Sequence, residues 1–199
     1  MKNLKYILLI LTFLALIVSY IGAKEPFTWW LEVLPVFVGI LFLAIFRKFE
    51  FTNFVYVVIF LHFLVLIIGG HYTYADVPFF EDWGERNNYD KLGHFMQGFS
   101  PALIMREVLI RKNVVNGKGW LFFIVLCFVM FVSSTYELIE WWVSVFSGEA
   151  GDSFLGTQGY IWDTQTDMLM ALIGGIVAQL FDSKQIYKIY DKLQMFNFF

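Results

Sequence analysis

Long apolar runs, separated by short polar stretches, dominate the chain. Each run is close to the ~20 residues that an α-helix needs to cross the hydrocarbon core of a bilayer. The pattern therefore predicts an all-α fold, a polytopic transmembrane bundle of about six membrane helices. The six runs lie at 6–22, 30–46, 52–69, 90–110, 120–146 and 163–181.

The polar residues inside two of these runs change the expectation for them. The fourth run contains Pro101 and Arg106, and the sixth begins with Asp163 and Asp167. Either run is compatible with a partly embedded helix that its neighbours hold in place, as well as with a free-standing span. The first run starts beside lysines and ends near Ala23, so a cleaved signal peptide is an alternative for it.

Composition excludes several classes of protein. Of the 199 residues, 59% are hydrophobic and 16% are charged, and the mean hydropathy is +0.65. A soluble domain does not carry that much apolar surface. The net charge of −3 and the lack of a basic stripe argue against a nucleic-acid partner, and a single cysteine excludes a disulfide scaffold. The expected partner is the lipid bilayer.

The positive charges predict the orientation, because cytoplasmic loops retain Lys and Arg. With an alternating topology, all but Lys24, Arg86 and Lys91 of the 14 basic residues fall on one side. Both termini are therefore expected to be cytoplasmic, and most acidic residues lie on or toward the outer side. The outward loops are 23–29, 70–89 and 147–162.

The chain divides into one transmembrane domain at 1–182 and a tail at 183–199. In the tail, Lys188 and Lys192 alternate with apolar and aromatic residues, a pattern typical of an amphipathic helix on the anionic cytoplasmic leaflet. A helix that binds a partner protein is the alternative.

Three polar pairs at helical spacing are the main candidates for chemistry. Polar side chains are costly within a membrane, and residues three or four apart share a helix face. With the predicted orientation, all six residues converge on the outer third of the membrane, where the helices can enclose a polar chamber. The pairs are Asp90 with His94, Glu137 with Glu140, and Asp163 with Asp167.

Carboxylates grouped with an imidazole suit a divalent metal ion, which is the expected cofactor. No H-E-x-x-H motif is present, so the spacing does not specify a metal. The same groups also suit an acid–base pair or a proton relay, or a structural clamp that joins helices by hydrogen bonds. The candidate metal ligands are Asp90, His94, Glu137, Glu140, Asp163 and Asp167, of which His94, Glu137, Glu140 and Asp167 are the candidate catalytic residues.

The outer loops and helix ends supply candidate substrate-binding residues. Aromatic rings beside carboxylates favour a cationic group such as an amine headgroup. His62 lies mid-membrane, where a neutral histidine bonded to a neighbouring helix is favoured over a ligand. The candidate substrate-binding residues are His71, Tyr74, Arg86, Trp141, Gln158 and Gln165.

Four motifs carry a resemblance to a known family. They are HYTYA at 71–75, NYDKLGHFMQG at 88–98, YELIEWW at 136–142 and LGTQGYIWDTQTDM at 155–168. They resemble the YjdF-type family of bacterial inner-membrane proteins, and the resemblance implies a multi-pass protein of the bacterial inner membrane without implying a reaction.

A more distant similarity is to VanZ-like proteins. Their Asp-Lys-x-x-His-Phe helix is matched by Asp90, Lys91, His94 and Phe95, and their Asp-led helix with a later glycine by Asp167 and Gly174. Glu140 stands where that pattern has glutamine, so the second helix of the pattern departs from it. This similarity implies at most a link to envelope or glycopeptide-antibiotic phenotypes.

Together these observations favour a metal-dependent hydrolase or transferase that acts on a lipid or envelope-linked substrate near the outer leaflet. One alternative is a non-catalytic envelope factor whose polar cluster clamps helices. Another is a small membrane protein that binds a cation or protons. The sequence is thus compatible with an enzyme and with a non-catalytic protein.

Overall fold

The computed structural model describes residues 3–80, 86–147 and 160–181. The described residues form helices and connections without a β-strand, which confirms the all-α prediction. The helices are α1 (Leu4–Tyr20), α2 (Pro26–Ile45), α3 (Asn53–Tyr72), α4 (Tyr89–Arg111), α5 (Lys118–Ser147) and α6 (Asp163–Phe181).

Local sequence accounts for several helix ends. Helix α2 begins at Pro26, whose fixed φ suits the first turn and whose missing N–H has no partner there in any case. Helix α3 is capped by Thr52, whose hydroxyl accepts a hydrogen bond from the Val55 N–H at 3.4 Å. It ends at Tyr72, and the following residue, Thr73, adopts a left-handed conformation with φ of 59° and donates its backbone N–H to Gly69 O.

Three of the described helices, α2, α3 and α5, are long and apolar enough to cross a membrane, and α1 is a shorter apolar helix. Large hydrophobic side chains cover the outside of the bundle, as in Val18 (68% exposed), Ile45 (65%) and Phe131 (65%). Such a surface is stable against lipid and unstable against water.

Helix α3 lies at the centre of the first half of the bundle. It packs against α1, α2 and α4. Val33 and Val36 of α2 are completely buried, and Phe63 and Ile67 of α3 are buried in the same core. A lone acidic residue, Glu32, is also buried on α2.

Helices α4 and α6 make the most extensive contact between any two of the described helices. Two glycines allow it: a Cβ atom at Gly98 would collide with the carbonyl oxygen of Ala171, and one at Gly174 with that of Phe95. Neither helix is apolar enough to count as a span by itself. They are therefore helices held by their neighbours, which was one of the two expectations for these runs.

Some expectations lie outside the described residues. These are the outward loop at 147–162 with Gln158, of which residues 148–159 are not described, residues 81–85 of the outward loop at 70–89, and the tail at 183–199. The cytoplasmic placement of both termini, the retention of α1 and the division into domain and tail stay predictions.

Candidate functional site

A cavity of about 320 Å³ lies among α2, α3, α4, α5 and α6. Its acidic residues are near the end of the bundle where α3 is followed by α4 and α5 by α6, whereas His62 lies at the middle of α3. Its apolar wall includes Phe131 and Ile139, which are also exposed on the outer surface of α5. The cavity is therefore accessible from the lipid-facing side. Its polar lining consists of Glu32, His62, Tyr74, Asp90, His94, Gln97, Thr135, Tyr136, Glu140, Asp163 and Asp167.

Three helices bring His94, Glu137 and Asp167 together at the edge of this cavity, and we call these residues the metal-ligand cluster. One ligand atom from each lies within 4.8 Å of the others, and all three side chains are buried. Two ligands about 2.1 Å from one tetrahedral ion lie about 3.4 Å apart. Side-chain shifts of about 1 Å would thus let all three residues bind one ion.

Hydrogen bonding orients the His94 ring within the cluster. Its Nδ1 lies 3.2 Å from Gln97 Oε1, and its Nε2 lies 3.8 Å from Asp167 Oδ1. An imidazole that donates from Nδ1 to the Gln97 amide oxygen leaves the lone pair on Nε2. That tautomer directs a potential ligand atom toward Asp167, with Gln97 as the supporting outer partner that metal-bound histidines commonly have.

Glu137 is the least satisfied member of the cluster. Its side chain is 7% exposed, and its Oε1 has no hydrogen-bond partner among the described residues. Its carboxyl group does receive a hydrogen bond from the Thr164 side chain. A buried carboxylate oxygen without a partner is costly, so its persistence indicates a position suited to a cation or a proton.

Beside this cluster, two cations neutralise neighbouring aspartates, and we call Asp90 and Asp163 with Arg86 and Lys91 the ion-pair clamp. Arg86 Nη1 lies 2.5 Å from Asp163 Oδ1, and Arg86 also pairs with Asp90. Lys91 Nζ lies 2.7 Å from both Asp163 Oδ1 and Asp167 Oδ1. Burial alone would lower the pKa of the Arg86 guanidinium, but the charges of Asp90 and Asp163 raise it above its usual value.

Two further carboxyl groups, Glu32 of α2 and Glu140 of α5, line the cavity away from the clamp, and we call them the carboxyl pair. They are 5% and 8% exposed. Tyr74 and Tyr136 line the same cavity. Burial and the charge of Glu32 raise the pKa of the Tyr74 hydroxyl well above its ordinary value, so this tyrosine is neutral near pH 7.

The structure gathers the six predicted metal ligands into one region, but with unequal surroundings. His94, Glu137 and Asp167 form one potential three-ligand site, and Asp90, Asp163 and Asp167 form another. The second group is already paired with Arg86 and Lys91. Glu140 belongs to the cavity wall instead.

The predicted substrate-binding residues separate into two groups. Tyr74 lines the cavity, and Arg86 forms ion pairs with Asp90 and Asp163, which also line it. His71 instead points to α1, with Nδ1 2.6 Å from the carbonyl oxygen of Ser19. Trp141 (56% exposed) and Gln165 lie on the surface, apart from the residues that line the cavity. Gln158 lies outside the described residues.

Sequence reasoning did not assign a site role to Glu32, Tyr136 or Lys91. Glu32 has a clear signal, because it is the single charged residue within the apolar run of α2. Lys91 was predicted as an outer basic residue and matched the VanZ-like pattern, but its pairing with α6 depends on the fold. His62 lines the cavity and has no hydrogen bond to another described residue, which differs from the expected bond to a neighbouring helix.

Comparison with known proteins supports the membrane assignment. Residues 4–187 match a family model described as a predicted membrane protein (DUF2238). The chain is 46% identical over 174 residues to the inner membrane protein YjdF of Escherichia coli (strain K12), covering 84% of this chain and 83% of that one. No solved structure matches. The similarity to VanZ-like proteins stays a prediction.

Proposed function

Because the chain belongs to the DUF2238 family of membrane proteins, we propose that it is a bacterial inner-membrane protein with a divalent metal ion at His94, Glu137 and Asp167. At this site it would hydrolyse or transfer the headgroup of a lipid or envelope-linked substrate. The observation that carries the proposal is the buried Glu137 Oε1, which lacks a hydrogen-bond partner and lies 3.6 Å from His94 Nδ1.

The ligand set suits catalysis because three protein ligands leave a further coordination position open. A divalent ion at such a site supplies Lewis acidity toward a phosphoryl or acyl oxygen and lowers the pKa of a bound water. Glu137 and Asp167 would contribute the negative charge that holds the ion, and His94 the neutral nitrogen. Glu140, one helical turn from Glu137, lines the cavity and would contact the substrate there.

The shape of the cavity supports a lipid substrate. Its acidic groups lie near the helix ends, while Phe131 and Ile139 line its wall and are exposed to the hydrocarbon. A headgroup can thus enter the polar part while its acyl chains remain in the bilayer. A soluble polar metabolite would gain no binding energy from an opening lined by apolar side chains.

Metal content tests the proposal directly. The protein, purified in mild detergent without chelator, should contain about one metal ion per chain by elemental mass spectrometry. His94→Ala and Glu137→Gln should each abolish binding. His71→Ala and Glu50→Gln, a matched histidine and an exposed matched acid outside the cluster, should retain the metal. A wild-type protein without metal would refute the metal site.

Turnover is the second measurement. The protein should be reconstituted in vesicles of bacterial lipids, with headgroup release or exchange followed by mass spectrometry. Glu140→Gln is expected to reduce turnover strongly while the metal content stays at the wild-type level. Equal turnover by wild type and Glu140→Gln would remove Glu140 from the proposed substrate site.

A second candidate function follows from the ion-pair clamp. Lys91 bonds to both Asp163 and Asp167 and so connects α4 with α6, an arrangement that suits a non-catalytic envelope factor. In that case His94→Ala and Glu137→Gln would lower stability without any change in metal content. Metal bound by the wild type and lost in both variants would exclude the purely structural role.

A further inference from the structure

The carboxyl pair, Glu32 and Glu140, is not used by the metal-ligand cluster. The two residues come from α2 and α5 and line the same cavity, and each is more than nine-tenths buried. Neither forms a hydrogen bond or salt bridge with another described residue. Buried carboxyl groups are normally paired or hydrogen-bonded, so these two face a space that a ligand can fill.

Charge balance indicates the sign of that ligand. The cavity and the metal-ligand cluster together hold six carboxyl groups among the described residues, while Arg86 and Lys91 are the basic side chains that contact them. With all six carboxyl groups ionised, Arg86 and Lys91 leave four negative charges, and a divalent ion would balance two of them. The last two correspond to the carboxyl pair, which therefore favours a cationic ligand and disfavours an anionic one.

Aromatic rings next to the pair indicate the kind of cation. Tyr74 and Tyr136 line the cavity, and each interacts electrostatically with both Glu32 and Glu140. A tyrosine ring presents a negative face to an ammonium group, and carboxylates accept its N–H bonds. Two carboxyl groups with two tyrosines are thus suited to an organic ammonium.

We propose that Glu32, Glu140, Tyr74 and Tyr136 bind the ammonium group of a lipid headgroup, so that the substrate class is an aminophospholipid. The inference rests on the proposed function for the placement of the phosphate, which would lie toward the metal-ligand cluster. The acyl chains would leave the cavity past Phe131. Lipids with an anionic headgroup such as glycerol phosphate would be rejected by the carboxyl pair.

Binding titrations with short-chain lipids test the assignment. Dihexanoyl phosphatidylethanolamine and dihexanoyl phosphatidylglycerol should be titrated into the purified full-length protein below their micellar concentrations, with tryptophan fluorescence as the readout. The ethanolamine lipid should bind at least tenfold more tightly than the glycerol lipid. The double variant Glu32→Gln/Glu140→Gln should lose that preference, whereas Glu25→Gln, an exposed acid at the same end of the bundle, should retain it.

Two further arms keep the outcomes distinct. Free ethanolamine should bind more weakly than the lipid, and tighter binding would overturn the lipid assignment in favour of a soluble amine. Equal binding of the two lipids to the wild type would overturn the ammonium site whether or not the double variant folds.

Repeating the titration on His94→Ala and on chelator-treated wild type distinguishes headgroup binding from metal binding at the metal-ligand cluster. The preference for the ammonium headgroup should survive in both. Preference without bound metal would uphold the ammonium site and refute the proposed metal chemistry. Bound metal without a preference for the ammonium headgroup would uphold the metal site and refute the ammonium site.

Discussion

Glu137 Oε1 lies 3.6 Å from Nδ1 of His94, and it is a buried carboxylate oxygen without a hydrogen-bond partner among the described residues. The two residues belong to α5 and α4, so an ion that binds Glu137 and the Nε2 atom of His94 also connects these helices. Metal binding should therefore appear in the stability of the whole bundle as well as in the metal content.

Added metal is expected to stabilise the wild type. A ligand at 100 times its Kd adds about 2.7 kcal/mol to the free energy of unfolding, equivalent to roughly 5 to 10 °C in Tm for a chain of this size. Differential scanning fluorimetry in detergent, with chelator and then with Zn²⁺ or Mn²⁺ added, measures the shift. Glu137→Gln should show no shift, and an equal shift in this variant would place the metal elsewhere.

Lys91→Met is expected to destabilise the protein by about 3 to 5 kcal/mol, because it leaves the buried Asp167 without its lysine, while Asp163 keeps Arg86. Unfolding in detergent with increasing denaturant measures the change. Adding Asp167→Asn to Lys91→Met should recover part of the loss, since the uncompensated charge is then removed. Wild-type stability of Lys91→Met would show that the clamp contributes nothing to the fold.

Lys24→Met is the matched control, since Lys24 pairs with Asp76 at 2.5 Å on the surface. Its effect should not exceed about 1 kcal/mol, because both side chains are about half exposed. The hydrogen bond from Lys24 lowers the pKa of the Asp76 carboxyl. The small contribution of this pair is thus present above the unfolded-state pKa of about 4 and is lost as the pH falls through the lower folded-state value.

Gly98→Ala and Gly174→Ala should each destabilise the bundle by roughly 1 to 3 kcal/mol, because the added methyl group meets backbone of the facing helix. Gly119→Ala is the control, as a Cβ atom there meets nothing within 4 Å. Since alanine favours a helix over glycine, this variant should be neutral or up to about 1 kcal/mol more stable. Equal losses in all three variants would contradict the close packing of α4 on α6.

Glu107→Ala is expected to cost about 3 kcal/mol at the other end of the bundle. The buried Glu107 carboxylate accepts hydrogen bonds from the backbone and hydroxyl of Thr52 and pairs with Arg111 at 2.8 Å. The variant leaves these donors without that acceptor. Glu50→Ala, which removes an exposed pair with Lys5, should cost no more than about 1 kcal/mol. Similar unfolding curves for the two variants would refute this prediction.

The periodicity of apolar residues was sufficient to predict the helices. The predicted run at 163–181 coincides with α6, and the run at 90–110 differs from α4 by one residue at each end. For α2, α3 and α5 the thickness of the bilayer sets a minimum length, so apolar composition predicts these helices. The reservation about Pro101 and the leading aspartates of α6 also corresponds to a physical feature, the mutual packing of α4 and α6.

The site was predicted less completely, because helix periodicity specifies a face and not its neighbour. Asp90 and His94 share a face of α4, yet Asp90 pairs with Arg86 while His94 meets Glu137 and Gln97. The pairing of Lys91 with α6 joins residues more than 70 positions apart. His71 was expected at the cavity but bonds to Ser19, a contact determined by how α1 packs on α3.

The packing of α4 against α6 also has a consequence for biogenesis. During synthesis α4 leaves the ribosome before α5 and α6, and its own sequence is too polar to remain stably in lipid alone. It is therefore expected to stay packed against α3 until α6 is synthesised and Asp163 and Asp167 can pair with Lys91. Chains truncated before Asp163 are accordingly expected to be degraded in the cell, and insertion of the last helix would be the step that commits the protein to its final topology.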